Sequence, residues 1–292
     1  MNIPAEVLKK LELIRNLPTL PAVVEKLGTT MSDPNSDAKQ VANIIEDDPA
    51  IMTRILKVVN SAFYASSEEV TSVQHAVARM GMTTVSNLAM TTSVFSAFDA
   101  QDDEMFNMED FWRHSISSGI AAGVVYERAR EHIPRRYTKE VLRLAGLLHD
   151  IGKIVMIQYL HDDFTRALAL AESSGIPLVQ AETQVLNTNH CQIGAWLGAK
   201  WNLSNELLQV IEFHHAPESG DEKYSAIVAL VHIANYICNQ QTIGDSGDSA
   251  APAFLQGVWK QLGLSVSDIS DVVDLVNVEA DKSEVLMSFV NE

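Results

Sequence analysis

The residues best suited to chemistry in this chain are histidines set beside acids at the ends of apolar stretches. His149-Asp150 follows Leu144, Ala145, Leu147 and Leu148 and precedes Ile151-Gly152-Lys153. An imidazole next to a carboxylate in an apolar setting is costly unless the two are paired or bind a metal. A histidine nitrogen and a carboxylate oxygen together suit Fe, Mn, Zn or Ni. Lys153, just past a glycine, is placed to meet a phosphate oxygen as a point charge. For an isolated His-Asp pair, a protonated histidine satisfying helix-end carbonyls is the simpler account. This pair is not isolated. His114 stands four residues after Asp110, so the two share a helix face, while His190 opens one apolar helix and His214-His215 ends another. A bundle that converges these helix ends assembles five histidines and one or two carboxylates on one pocket. Taken singly, His190 and one of His214 and His215 read better as capping or surface residues. His75, His132, His161 and His232 have no such context and are assigned no role.

The elements that must position these side chains read as helices throughout. Pro21 opens a run through Val23, Val24 and Leu27, and Ser36 is placed to cap a second carrying Val41, Ile44 and Ile45. Asp48-Pro49 is an N-cap followed by proline at the first helical position. Ser72 to Met80 is a fourth helix, stopped by Gly81, and Thr83 is expected to cap a fifth. An acidic stretch over 99–110 connects to a helix from about Phe111 to Glu131. Further helices are predicted over Lys139–Leu148, Ile154–Leu160, Leu178–Thr188, Gln192–Lys200, Glu206–Phe213 (capped by Ser204) and Tyr224–Asn239. Thr242 to Pro252 reads as a flexible linker. Beyond it, Phe254, Leu255, Val258, Leu262, Val272, Leu275 and Val276 are available to dock an acidic helical tail. No alternating segment argues for a strand. The expected fold is an all-α, two-lobed helical bundle: an N-terminal lobe over 1–105, a second over 106–240, and a linker with tail over 241–292.

Composition narrows the function classes. The chain has 292 residues, 47% of them hydrophobic and 20% charged, which supports a sizeable core and excludes a disordered chain. No apolar run approaches the ~20 residues of a membrane span, so no membrane association is expected. Only Cys191 and Cys238 are present, which fits a reducing cytosol and a cytoplasmic protein. Lys and Arg number 21 against 38 Asp and Glu, a net charge of −17. Duplex DNA needs a basic footprint, and neither flank has one, which sets aside the helix-turn-helix-like stretch from Ser72 to Phe98. The middle of the chain is nearly neutral, so an anionic ligand such as a nucleotide or phosphate would meet least repulsion there.

His114 followed by Leu147-Leu148-His149-Asp150-Ile151-Gly152-Lys153 resembles the HD superfamily of metal-dependent phosphohydrolases. The detail is similar to its HDOD branch, the HD-related output domain of bacterial signalling proteins. Leu17-Pro18-Thr19-Leu20-Pro21, Ile45 to Pro49, Val58 to Tyr64 and Ser72 to Leu88 resemble that family's N-terminal half. Phe111 to Ser115, Ala145 to Lys153, His190 to Trp201 and His214-His215-Ala216-Pro217 resemble its C-terminal half. The likeness runs from about residue 15 to 240.

The resemblance implies His114, His149 and Asp150 as metal ligands. By analogy with the related HD-GYP cyclic-dinucleotide phosphodiesterases, it implies His190, His214, His215 and Asp110 as further ligands. The family's late aspartate falls on Asn235, a neutral and weaker ligand, and the glycine-tyrosine-proline signature after His215 is replaced by Ala216-Pro217-Glu218. The implied cofactor is a divalent metal, with Fe or Mn favoured over Zn, Ni or Mg because imidazole dominates. Occupancy is expected to fall below the ordinary histidine pKa of ~6.5. Two readings stay open. One is a regulatory signal-transduction module that binds a metal and acts on an unidentified protein partner. The other is a metal-dependent phosphohydrolase or phosphodiesterase in which Lys153 steadies the phosphate.

Overall fold

The computed structural model describes residues 3–14, 17–18, 20–60, 69–98, 104–133, 137–248, 250, 252–265 and 268–287. Thr19 and Ser61–Tyr64 of the family-like motifs, and Asp99, Asp102 and Asp103 of the acidic connection, lie outside the described residues. Among the described residues every regular element is helical: α1 Ala5–Glu12, α2 Ala22–Ser32, α3 Ala38–Glu46, α4 Pro49–Val59, α5 Val73–Met80 and α6 Met82–Ala97 come first. They are followed by α7 Met108–Ala129, α8 Lys139–Leu148, α9 Ile151–Tyr159, α10 His161–Ser174, α11 Leu178–Leu186, α12 His190–Lys200, α13 Asn205–Phe213, α14 Ser225–Gln240, α15 Gln256–Gln261 and α16 Asp268–Met287. No helix among the described residues is long and apolar enough to cross a membrane.

Local chemistry explains most boundaries. The Asp48 side chain accepts from the Ala50 and Ile51 amides ahead of Pro49, and Ser72 and Ser204 cap α5 and α13 as their types predict. Two caps differ from expectation. Asp37, not Ser36, caps α3, because it forms a reciprocal capping box with Gln40. At α6 the chain turns through Gly81 at φ 86°, and the helix starts at Met82 without a side-chain cap from Thr83. Two helices, α1 and α10, escape a cap-based reading because Pro4 and Leu160 stand at their N-cap positions with no side-chain cap bond.

Two apolar cores organise the chain. One runs from Val7 and Leu11 through Val24, Ile45, Ile55 and Val94 and on into Ile154, Phe164, Leu178 and Ile193. The other gathers Ala122, Val125 and Tyr126 of α7 with Val228, Ile233, Val258, Trp259 and Val276. Helix α7 serves both, with Phe111, Trp112 and Ile116 in the first and its C-terminal half in the second. Val258, Leu262, Val272 and Val276 dock the tail as expected, whereas Leu275 is 46% exposed. The segment after α14 is anchored rather than free: the Asp245 amide donates to the Asp110 carbonyl at 3.0 Å, and the Ile243 amide to the Cys238 carbonyl at 2.9 Å.

Glycines set how closely the site-bearing helices approach. A Cβ on Gly146 of α8 would run into the Gly119 and Ser118 backbone of α7. A Cβ on Gly152 of α9 would overlap the His190 carbonyl and come 2.8 Å from the Gly194 amide of α12. Alanine is worth about 1 kcal/mol over glycine in a helix, but overlap with fixed backbone costs about 3 kcal/mol. The clash therefore wins, and Gly152→Ala should lower the melting temperature by roughly 5 °C in a calorimetric scan; an unchanged or higher value would show that α9 and α12 are free to part.

Burial in the second core pushes the Cys238 thiol up to about 12, from an ordinary value of 9.0. A raised acid is more protonated in the folded than in the unfolded chain, so its contribution to stability is full below pH 9.0 and is lost as the pH climbs toward 12. Thermal melts between pH 8 and about 11 should therefore decline more steeply for the natural chain than for Cys238→Ala. Parallel curves would place the alkaline loss elsewhere.

Candidate metal centre

Five helix ends deliver the centre. His114 lies in the second turn of α7, and His149 and Asp150 form the joint between α8 and α9. Lys153 sits in the first turn of α9, His190 and Cys191 open α12, and His214-His215 follow α13. His114, His149, Asp150, Lys153, His190 and His214 are each 0% exposed. Ligand atoms of His114, His149 and Asp150 lie within 4.8 Å of one another, as do those of His190, Cys191, His214 and His215. Asp150 joins the groups: one oxygen is 3.4 Å from His149 Nε2, the other 3.2 Å from His190 Nε2 and 3.3 Å from His214 Nε2.

The Nδ1 atoms of three histidines are already committed. His149 Nδ1 donates to the Gly146 carbonyl at 2.6 Å, and His214 Nδ1 faces the Ile211 and Val210 carbonyls at 3.0 and 3.2 Å. His190 Nδ1 is 2.6 Å from Glu182 Oε2, which also accepts the His190 amide at 3.0 Å. Because carbonyls accept, Nδ1 must carry the proton, which leaves the Nε2 lone pairs pointing inward. His190 Nε2 and His214 Nε2 stand 3.4 Å apart. His149 Nε2, His215 Nε2 and His114 Nδ1 are buried with no hydrogen-bond partner. Converging orphan lone pairs of this kind fit a divalent transition ion, and the carboxylate and carbonyl partners behind the rings are the usual supports of such ligands.

Charge reinforces the fit. Burial opposes a charged Lys153, but the Asp150 and Asp248 carboxylates, each 2.8 Å from Nζ, hold its pKa above the usual range. Burial also opposes ionised Asp150, yet His149 and Lys153, helped by His190 and His214, keep it well below the ordinary value. His149 is pushed down to about 3, chiefly by burial, and burial likewise lowers His114 and His215. His214 goes the other way, to about 9, because Cys191 and Asp150 outweigh its burial; His190 is raised against burial by Cys191 and Glu182. Cys191 itself falls to about 7 despite burial, drawn down by those two imidazoles.

Of the residues expected at the site, His114, His149, Asp150, Lys153, His190, His214 and His215 come together. Asp110 is half-buried on α7 and takes no place in either converging group; its carbonyl instead anchors Asp245. Asn235 is buried, with its oxygen taken by Asn239 Nδ2 at 2.6 Å and its own Nδ2 unpartnered. Four participants were not anticipated. Glu182 orients His190, and its clue is an acid on the otherwise apolar Leu178, Ala181, Leu186 face of α11. His232 donates from Nδ1 to the His214 carbonyl at 2.7 Å and fixes the end of α13. Cys191 sits 3.9 Å from His214 Nε2. Asp248 arrives from the supposed linker, held by Ser246 Oγ at 3.0 Å, and no local pattern marks it.

The description "HDOD domain" belongs to the family model that matches residues 17–217. An uncharacterized protein of Treponema pallidum (strain Nichols) is 25% identical over 224 residues, 76% of this chain; the chain spans 42% of that relative's length. Among solved structures, an HDOD domain protein with unknown function from Geobacter sulfurreducens superposes with TM-score 0.76 at 24% identity, covering 97% of this chain and 95% of that one. A candidate signal transduction protein from Marinobacter aquaeolei VT8 gives TM-score 0.80 at 24% identity, covering 100% and 63%. At such identities the structural likeness establishes the helical fold.

Replacing Glu182 by Gln removes the charge behind His190 while keeping its volume. Affinity for a divalent ion should drop by about tenfold or more, measured by competition with a chromophoric chelator. An unchanged affinity would take His190 out of the ligand set.

Proposed function

Since the chain belongs to the HDOD domain family, we propose that it is a bacterial regulatory module that holds one or two divalent ions in its helical body and signals through contacts with a protein partner. The observation that carries this reading is the closure of the site around Lys153. That ammonium is 0% exposed and spans two carboxylates at 2.8 Å each, so it is already neutralised and turned inward. A lysine engaged in this way offers no free charge to a phosphate ester. The Marinobacter aquaeolei neighbour's signal-transduction description agrees with it. A groove of about 510 Å³ opens between α7, α8 and α16 beside Gly123, Arg128, Arg143 and Leu275, and none of the ligand residues lines it.

In this reading His114, His149 and Asp150 hold one ion, and Asp150, His190, His214 and His215 hold a second. A bound ion supplies positive charge and Lewis acidity. The chain's own groups do the rest: Glu182 and the Gly146 carbonyl fix ring orientation, Lys153 holds Asp150, and His232 ties down α13. Fe is the ion that the imidazole-rich set suggests, with Mn the alternative through the Asp150 carboxylate. Both thiols are free and buried, which suits a reducing cytoplasm.

A metal-dependent phosphohydrolase is the second reading. Its support is the family's His-Asp pair with Lys153 retained beside it, 2.8 Å from Asp150. Against it, Asn235 brings no charge where the family's aspartate would.

Protein purified without added metal or chelator should carry at least about one divalent ion per chain by elemental analysis. Loaded with Mn or Fe, it should leave cyclic dinucleotides, nucleotides and simple phosphodiesters unhydrolysed. Robust turnover that His149→Ala abolishes would make the protein an enzyme and overturn the regulatory reading; turnover confined to Asn235→Asp would support it.

A further inference from the structure

We propose that Cys191 is a ligand as a thiolate, so that the ion held by His190, His214 and His215 is a thiophilic one, Zn²⁺ or Fe²⁺, rather than Mn²⁺ or Mg²⁺. The proposal deepens the metal reading above and rests on it. Its ground is the spacing of the donors. With metal–nitrogen bonds of about 2.0–2.1 Å and a metal–sulfur bond of about 2.3 Å, a tetrahedral ion sets two nitrogens about 3.3 Å apart and nitrogen and sulfur about 3.6 Å apart. Here His190 Nε2 and His214 Nε2 are 3.4 Å apart, and Cys191 Sγ is 3.9 Å from His214 Nε2. All four donor atoms, including one from His215, fit within 4.8 Å of one another.

A neutral thiol beside His214 is the simpler account of the 3.9 Å contact. It leaves too much unexplained. His190 and His214 would then have to share Asp150 Oδ1 as two protonated rings with their Nε2 atoms 3.4 Å apart, and His215 Nε2 would remain buried without a partner. An ion between them satisfies these atoms together. The backbone favours the thiolate as well: Cys191 lies in the first turn of α12, an eleven-residue helix whose positive end faces the cluster. Charge favours the ion too. With Asp150, Asp248, Glu182, Lys153 and a Cys191 thiolate the buried cluster carries −3 when the imidazoles are neutral, and a divalent cation brings it to −1. Soft sulfur then sets selectivity, since thiolate favours zinc and iron where carboxylate and water favour manganese and magnesium.

The test is cobalt substitution of the full chain, followed by absorption spectroscopy. Co²⁺ bound to the natural protein should show intense near-ultraviolet thiolate-to-cobalt charge transfer, kept in Cys238→Ala and lost in Cys191→Ser. In parallel, the preference for Zn²⁺ over Mn²⁺ should shrink by about tenfold or more in Cys191→Ser. Co²⁺ bound without the charge-transfer band, or a band that survives Cys191→Ser, would overturn the thiolate ligand and leave the histidine-carboxylate centre standing. Failure of the natural protein to bind either Co²⁺ or Zn²⁺ would overturn both. The spectrum of the natural chain and of Cys238→Ala decides the matter even if Cys191→Ser does not fold.

Discussion

The structure depends on one electrostatic constraint, the balance of buried charge around Asp150. Asp150, Asp248 and Glu182 bring three carboxylates into the interior, and Lys153 brings one ammonium. With neutral imidazoles the remainder is −2, which an apolar interior does not tolerate. Two remedies exist. One is protonation of His190 and His214, whose pKa values are raised against burial by Cys191 first, then by Glu182 for His190 and Asp150 for His214. A single divalent ion among the same nitrogens supplies the same charge and satisfies the orphan lone pairs too. Protons and cation compete for identical atoms, so the centre holds one or the other.

That competition is possible only because the backbones come close enough. Gly119 against Gly146 and Gly152 against Gly194 let α7 approach α8 and α9 approach α12 without Cβ atoms between them. The Gly146 carbonyl, three residues back at the end of the same helix, takes the His149 Nδ1–H, and the His190 backbone packs on Gly152. Packing and chemistry thus share residues: the glycine that permits the crossing also presents the carbonyl that sets the tautomer. The N-terminal helices add no ligand, but they share the apolar core of α9–α12, and Trp201 Nε1 reaches back to the Pro18 carbonyl at 2.7 Å.

Helix periodicity and side-chain caps made most of this fold legible in the sequence. Asp48-Pro49, Ser72 and Ser204 act as their types predict, whereas α1 and α10 have no side-chain cap and leave no start signal. At the site, the histidines stood out because imidazoles at apolar helix ends need a reason to be there. Cys191 did not, since a buried cysteine passes for a small hydrophobe. Glu182 and His232 act on a ring or carbonyl far away in sequence, which periodicity cannot report. Asp248 was hidden most completely. Its glycine- and serine-rich surroundings have the composition of a free linker, yet Asp245 on the Asp110 carbonyl and Ser246 on Asp248 hold the segment against the site.

Asp248 also bears on why the site takes its present form. The resemblance to the HD superfamily implies a late carboxylate on the α14 helix, where this chain has Asn235. The charge missing there is not missing from the interior; it enters thirteen residues later and lands on Lys153. A carboxylate on α14 would serve a metal, whereas one on Lys153 removes the cation that a phosphate would need. On the proposed regulatory reading, the same count of buried charges is reached by a route that favours holding an ion over processing an anion. The segment carrying Asp248 is also bonded to α7 at Asp110, one turn before His114, so the path of the chain toward α15 and α16 is tied to the buried cluster at two points.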